Sequence, residues 1–144
     1  MGKLNLRRHY PTDITCNISE DTPGVNLLVS AQVSMTAGHN TENKLDWRIS
    51  TTVKFSAKVG EIAVANGSVT FVGFFDAPSD MAEDKRPGFV VSNGVPILYS
   101  ATRELLANLT ARAPGKLVTL PPFDFGNVSN PLKGEPKQVT SVMV

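Results

Sequence analysis

The sequence has few of the residues on which protein chemistry usually depends. Its 144 residues include one cysteine, Cys16, and two histidines, His9 and His39. A single thiol excludes a disulfide scaffold and a cysteine-based zinc site, and it suits a reducing compartment. Both histidines stand beside polar or turn residues, without the ligand spacing of a known metal motif. We therefore expect neither a metal nor a cofactor.

Catalytic motifs and a strong net charge are also missing. The formal net charge is +1, which provides no electrostatic footprint for nucleic acid or an anionic membrane. The sequence has no phosphate-binding loop, no dinucleotide fingerprint and no nucleophile elbow. Asp80, Glu83 and Asp84 are close together but lack the glycine and terminal glutamate of a calcium loop, so we interpret them as a solvated loop. These absences favour a protein that is not an enzyme.

Long apolar runs are absent as well. No window approaches 18 consecutive apolar residues, so we expect no membrane span. The basic first ten residues are not followed by the apolar stretch of a signal peptide. The length suits one domain with a core. The expectation is a soluble cytoplasmic domain.

Prolines are present, but unevenly placed. There are 10, with none between Pro23 and Pro78 and none between Pro96 and Pro114. Because proline removes a ladder donor and breaks helix interiors, regular structure is expected to be long in these two gaps.

The first gap has the alternation of β-strands. Apolar and polar residues alternate from Leu45 to Val59, which predicts a long antiparallel strand with one buried face. Residues 27–35 show a similar pattern. Gly60-Glu61 permits a tight turn into a segment from Ile62 to Phe75. There the apolar phase changes across Asn66-Gly67, which indicates a bulge or, alternatively, a hairpin turn.

The N-terminal stretch from Leu4 to Ile18 also alternates. Pro11 interrupts it, so we predict either an edge strand or two short strands. Cys16 alternates with Ile14 and Ile18, which is typical of a small apolar side chain rather than a nucleophile. Three to four antiparallel strands are therefore expected first, in meander order.

The second gap predicts one amphipathic helix. We expect a loop over residues 76–94, with Asn93 as the N-cap and Pro96 in the first turn. The helix would run for about four turns and end at Pro114-Gly115. One apolar row has i+4 spacing: Ile97, Ala101, Leu105 and Leu109.

Three segments show a resemblance to a known family. Asn93-Gly-Val-Pro-Ile-Leu-Tyr-Ser-Ala-Thr-Arg-Glu104, followed by Leu-Pro-Pro-Phe-Asp-Phe125, resembles the SecB family of protein-export chaperones, and the opening Leu6-Arg-Arg-His-Tyr-Pro-Thr-Asp-Ile14 is similar to its first strand. The resemblance implies an α+β fold, with a four-stranded antiparallel sheet followed by one long helix on one face. It places a chaperone domain at residues 1–125. Residues 126–144 are then a tail rich in proline and glycine, which we expect to be extended or disordered and to lack the family's second helix.

The resemblance also implies a function. SecB-type chaperones capture unfolded or nascent polypeptides in apolar grooves without ATP and keep them competent for translocation or assembly. They assemble as a homotetramer, a dimer of dimers, through the long helix, here through Arg103, Leu105 and Leu109. The implied groove residues are Ile14, Cys16, Ile18, Phe71, Phe75 and Leu98. For each of these, a core position is the alternative interpretation.

Contact with the SecA motor is less well supported by the residues. Asp13 matches an acidic position that faces SecA in the family, but the other positions are Asn17, Asn66 and Ser68, and no acidic tail follows. Two alternatives therefore remain open. One is a SecB-like chaperone for a single dedicated partner, such as an antitoxin, and the other is a structural or assembly protein whose Phe-rich strand, Phe71–Phe75, is a subunit interface.

Overall fold

The sheet contains all five strands of the part of the chain that the structure describes. A computed structural model describes residues 3–18, 27–110, 120 and 137–143. The strand order is β1-β4-β3-β2-β5, and every neighbouring pair is antiparallel. The predicted four-stranded antiparallel sheet followed by one helix is confirmed, and a fifth strand extends it. The predicted meander order is wrong for the first strand, because β1 pairs with β4 at the far side of the sheet and not with β2. The elements are β1 (Asn5–Ile18), β2 (Leu27–His39), β3 (Asp46–Val59), β4 (Ile62–Asp76), α1 (Arg86–Thr110) and β5 (Lys137–Met143).

The β3–β4 hairpin has a tight turn and a bulge. Val59 pairs with Ile62 across Gly60-Glu61, and Gly60 has a φ of 62°, a left-handed conformation that glycine adopts without steric cost. The register shifts next to Val64, because Lys58 pairs with Ala63 and Ala57 with Ala65. The bulge therefore lies at Val64. The sequence analysis predicted it slightly later, at Asn66-Gly67. The alternative of a hairpin turn there is wrong, since β4 continues through both residues.

β1 is one continuous edge strand that passes through Pro11. Its register against β4 shifts between Leu6 and Arg8 and again between Pro11 and Asp13. Proline is tolerated because an edge strand has one side without ladder partners. Of the two alternatives, the edge strand is therefore observed.

α1 begins at Arg86, well before the predicted N-cap at Asn93, so the prediction of a loop throughout residues 76–94 is wrong. Pro87, rather than Pro96, occupies the first turn, and Pro96 lies inside the helix. An internal proline costs about 3 kcal/mol relative to alanine. Buried residues at helical spacing form a stripe that begins before Pro96 and continues after it: Val91, Val95, Leu98, Thr102 and Leu106. Packing of this stripe on the sheet compensates for the proline.

Two glycines bring α1 close to the sheet. A Cβ atom on Gly94 would lie 2.5 Å from Cδ1 of Ile49, and one on Gly73 would lie 2.9 Å from Cδ2 of Leu98. The helix therefore packs on β3 and β4 at a distance that larger residues would not allow. Phe75 is completely buried at this contact.

Part of the predicted tail belongs to the sheet. Lys137–Met143 is extended, and it pairs with β2 as β5. Residues 126–136 and 144 lie outside the described residues, as does the predicted helix end at Pro114-Gly115. The domain boundary at residue 125 and the lack of a second helix stay predictions.

Candidate functional site

An apolar strip is partly open along the C-terminal half of β1. We define the β1 apolar strip as Ile14, Cys16 and Ile18, together with Ile62 at the start of β4. Ile14 is 44% exposed and Ile62 is 61% exposed, whereas Cys16 and Ile18 are half-buried. The strip lies where β1 ends and β4 begins. It offers apolar side chains to the surroundings at one end of the sheet.

The β1 apolar strip is on the side of the sheet that α1 covers. Ile14 lies opposite Val69 on β4, and Ile18 lies opposite Ala65. Val69 is on the same face of β4 as Gly73, over which Leu98 of α1 packs, because side chains alternate along a strand. An extended apolar chain would therefore meet the strip beside a continuous buried core.

Three residues that the resemblance assigns to the groove lie in the core. Phe75 and Leu98 are completely buried, and Phe71 is almost completely buried. Each belongs to the cluster of apolar side chains between the sheet and α1. This is the alternative interpretation that the sequence allowed. Direct contact of these three with a client would require α1 to move, whereas Ile14 is accessible as it stands.

The chemistry of the strip is that of an apolar surface. Desolvation by burial raises the pKa of the Cys16 thiol, which keeps it protonated at neutral pH. Among the described residues, no group of three or more histidine, cysteine, aspartate and glutamate side chains could hold a metal ion. The arrangement can bind an apolar segment, but it does not activate a nucleophile.

The opposite, outer face of the sheet explains why the Phe-rich strand is apolar on both sides. The Arg8 guanidinium carbon lies 4.7 Å from the ring centroid of Phe74 and 5.8 Å from that of Tyr10. The Tyr10 and Phe74 rings stack with their centroids 6.3 Å apart. Val72 is buried on this face. Our sequence analysis missed this cluster, although Arg8 and Tyr10 share one face of an alternating strand.

Asp13 is exposed at the outer face and lies opposite Thr70 on β4. Further along, the Asn17 side-chain amide donates a hydrogen bond to Oδ1 of Asn66 at 3.2 Å. Ser68 lies opposite Thr15. The surroundings of Asp13 on these strands are thus polar and uncharged. Its contact with SecA stays a prediction.

The predicted apolar row of α1 is only partly covered, because Ala101 and Leu105 pack against the core while both ends of the row are open. Ile97 is 37% exposed and Leu109 is 40% exposed, and Leu105 is half-buried between them. Arg103, which the resemblance places in an oligomer interface, donates a hydrogen bond from Nε to the carbonyl oxygen of Leu120 at 3.1 Å. The two ends of the row are accessible, whereas Arg103 is already engaged within the chain.

A second concave region lies at the far end of β2. It is an open groove of about 500 Å³ next to the loop that leads into β3. Its lining residues are Thr36, Ala37, Gly38, His39, Asn40, Asp46, Arg48 and Phe74.

None of the helices in the described residues has the length and apolarity needed to cross a membrane.

Comparisons with known proteins identify the fold. No family model matches the sequence, and no curated protein matches it. The structure is similar to that of the Rv1957 SecB-like chaperone of Mycobacterium tuberculosis, solved in complex with a ChAD peptide from the Rv1956 HigA1 antitoxin. The TM-score is 0.68 at 15% identity, over 83% of this chain and 90% of that one. A protein of unknown function from Streptococcus agalactiae has a TM-score of 0.44 at 17% identity, over 83% of this chain and 97% of that one. The first similarity shows that this chain has a SecB-like fold.

Proposed function

We propose that the protein is an ATP-independent chaperone that binds unfolded polypeptides. The observation that carries this proposal is the β1 apolar strip, held partly open on a SecB-like sheet. Non-native chains expose apolar side chains, and an accessible apolar surface binds them through the hydrophobic effect. The similar M. tuberculosis protein is a SecB-like chaperone solved with an antitoxin peptide, which supports a polypeptide as the partner.

The size of the strip favours a dedicated client over general protein export. Phe71, Phe75 and Leu98 are in the core, so the accessible apolar side chains of the β1 apolar strip are mainly Ile14 and Ile62. This area suits one short extended segment, such as part of an antitoxin, better than long stretches of many precursors. Handover to SecA has weaker support, because Asn17, Asn66 and Ser68 stand where further acidic residues would be expected.

We further propose that the chain is a cytoplasmic homotetramer, with the apolar row of α1 in the interface between subunits. Ile97 and Leu109 would become buried there, with Leu105 between them. Large apolar side chains that stay exposed along one row of a helix are available to pack on a second partner. The β1 apolar strip and this row then have separate roles, which variants can distinguish.

The test compares two pairs of substitutions. Ile14→Ser with Ile62→Ser changes the β1 apolar strip, and Ile97→Ser with Leu109→Ser changes the α1 row. Burying two isoleucine side chains incompletely provides on the order of 1.5 kcal/mol, so the first pair should weaken client binding about tenfold with unchanged oligomer mass. The second pair should shift the mass. Fluorescence anisotropy with a reduced, unfolded client measures affinity, and native mass spectrometry measures the assembly.

The wild-type protein also decides between classes of function. A chaperone suppresses aggregation of denatured proteins at stoichiometric concentration, and a dedicated one does so for its own partner alone. A protein that leaves several unrelated denatured proteins and an antitoxin peptide unbound in native mass spectrometry is not a chaperone. It would instead be a structural or assembly protein.

A further inference from the structure

The edge of β2 is occupied by a late segment of the same chain. β5 pairs with β2 in one antiparallel register, from Leu27 opposite Met143 to Val33 opposite Lys137. Only part of β2 is covered, because β2 continues to His39. The described residues place no strand beside Ser34–His39 on this side.

A proline stands at this end of the β5 ladder. If the register continued, residue 136 would come opposite Ser34, and that residue is Pro136. Proline has no N–H to donate to a ladder, so it is favoured at the beginning of an edge strand or where its nitrogen faces away from the ladder, and Pro136 stands directly before β5. The segment Lys137–Met143 itself contains neither proline nor an acidic residue. β5 is therefore a short strand that begins directly after a proline.

The edge that β5 covers is unusually regular. β2 pairs with β3 from Leu28 to His39 without a register shift. A long edge without bulges is a template for another extended chain, because it presents a row of backbone N–H and C=O groups that can form hydrogen bonds. Beyond the end of β5, Thr36–His39 lines the open groove of about 500 Å³. This groove extends over β3 and Phe74 on the outer face, so a strand longer than β5 would continue along the β2 edge itself, as far as His39.

We infer that the β2 edge binds an extended segment of the unfolded client as an added antiparallel strand, and that β5 is the chain's own displaceable occupant of this site. The inference rests on the proposed function and deepens it. Main-chain hydrogen bonds provide affinity without requiring a particular sequence, which suits an unfolded partner. The client strand pairs with Leu27–His39, whereas β5 pairs only with Leu27–Val33.

β5 then acts as a tethered competitor. Because β5 belongs to the same chain as β2, it competes with the client intramolecularly, and an intramolecular competitor can have an effective concentration in the millimolar range. The longer ladder of the client offsets this advantage. The apparent affinity for the client falls by the fraction of molecules in which the edge is free, so removing β5 should raise it.

The test uses the full chain, a chain that ends at Pro136, and reduced, carboxymethylated α-lactalbumin as an unfolded client. We expect truncation to lower the Kd about tenfold, if β5 occupies the edge in about nine molecules of ten. Adding a free peptide with the sequence of residues 137–144 should raise the Kd of the truncated chain again. In the full chain, bound client should slow amide hydrogen exchange at Ser34–His39.

A second pair of variants keeps the test decisive if truncation impairs folding. Val139→Pro with Thr140→Pro removes a ladder donor in either hydrogen-bonding phase of β5. Val139→Thr with Thr140→Val keeps every donor and the same β-branched residue types. The proline pair should lower the Kd as truncation does, and the exchanged pair should leave it unchanged.

Each outcome separates the inference from the proposed function. Equal Kd values for the full, truncated and proline-containing chains, all binding the client, overturn the inference and leave the chaperone proposal intact. A change in oligomer mass on truncation, with an unchanged Kd, means that β5 joins subunits and also overturns it. If no chain binds α-lactalbumin, capture of an unfolded chain through its main chain is wrong and the inference fails, whereas the proposed function fails only if an antitoxin peptide is left unbound as well.

Discussion

The two sides of the sheet treat their edges differently. At one side, β1 is bent by two register shifts and contains Pro11, so its outer edge is a poor template for another strand. At the other side, β2 is regular throughout, and β5 covers part of it. The β1 edge is protected from pairing with another strand by its register shifts and proline, whereas the β2 edge is protected by β5. An edge that is protected by an occupant can be opened, whereas a bent edge has no such use.

The attachment of the two outer strands differs as well. Arg7 on β1 forms ion pairs with Asp46 at the start of β3 and with Asp76 at the end of β4, where its Nε lies 3.1 Å from Oδ1. Arg8 lies over Phe74 on the outer face. Side chains of β1 thus reach β3 as well as the neighbouring strand β4. β5, by contrast, is paired with β2 alone in the sheet.

The largest expected effect comes from adding one methyl group next to β1. A Cβ atom on Gly67 would collide with the carbonyl oxygen of Thr15, which is backbone and cannot rotate away. Gly67→Ala should therefore displace β1 from β4 and lower the free energy of unfolding by about 3 kcal/mol. It should also weaken client binding, because the β1 apolar strip moves with the strand. Urea unfolding followed by Trp47 fluorescence measures the first effect.

Gly38→Ala on β2 is the matched control. Nothing lies within 4 Å of a Cβ atom built on Gly38. Replacing an unconstrained glycine by alanine changes stability by about 0.4–1 kcal/mol in the favourable direction, through the unfolded chain. Equal destabilisation by both substitutions would contradict the contrast between a closely held β1 and an open β2 edge.

A smaller effect is expected from the outer face of β1. Arg8→Gln removes the cation–π contact with Phe74 and Tyr10, which at an exposed site stabilises by about 0.5–1 kcal/mol. Lys54→Gln is the control, since Lys54 is exposed on the same face of β3 and carries the same charge. The difference in urea midpoint between the two variants measures the aromatic contribution. Identical midpoints would mean that Arg8 does not hold β1.

The smallest effect is expected from a surface ion pair that belongs to neither edge. Lys44 Nζ lies 2.7 Å from Oε1 of Glu83, and this hydrogen bond holds the pKa of the Glu83 carboxyl below its usual value. A lowered pKa in the folded state means that the contribution to stability is present above the usual carboxyl pKa and is lost as pH falls through the lowered value. Both side chains are exposed, so the contribution is weak.

Glu83→Gln should therefore change the urea midpoint at pH 7 less than either preceding substitution. The midpoints of variant and wild type should converge in acid, below the lowered pKa of Glu83. Glu42→Gln, at another exposed glutamate, is the control. If the urea midpoints of Glu83→Gln and the wild type differ more at pH 3 than at pH 7, the predicted direction of the pH dependence is wrong.

β2 and β3 were predictable because each is a half-buried strand whose side chains alternate with a period of two. The pattern from Leu45 to Val59 predicted β3 to within one residue of its observed start at Asp46. The start of α1 was not predictable in the same way. Local propensity favours Pro96 in a first turn, but burial of Val90 and Val91 against the sheet extends the helix back to Arg86.

The candidate site was predicted only in part, because an apolar residue in an alternating strand can be core or surface. Ile14 and Phe75 follow the same pattern, yet Ile14 is open and Phe75 is completely buried. What separates them is the position of α1, which packs over Gly73 and leaves the far end of β1 accessible. β5 was missed because Pro131 and Pro136 precede it, and they indicate irregular structure.

By itself, the sequence determined the alternating central strands and their antiparallel pairing, an amphipathic helix and the lack of catalytic motifs, but the meander order that it predicted for β1 was wrong. The features that it determined follow from local periodicity, residue type and the exclusion of proline from ladders and helix interiors. The tertiary structure alone decided which apolar face α1 covers and which strand edge receives β5. Those outcomes depend on contacts between residues far apart in the chain, whose free energies no local pattern contains.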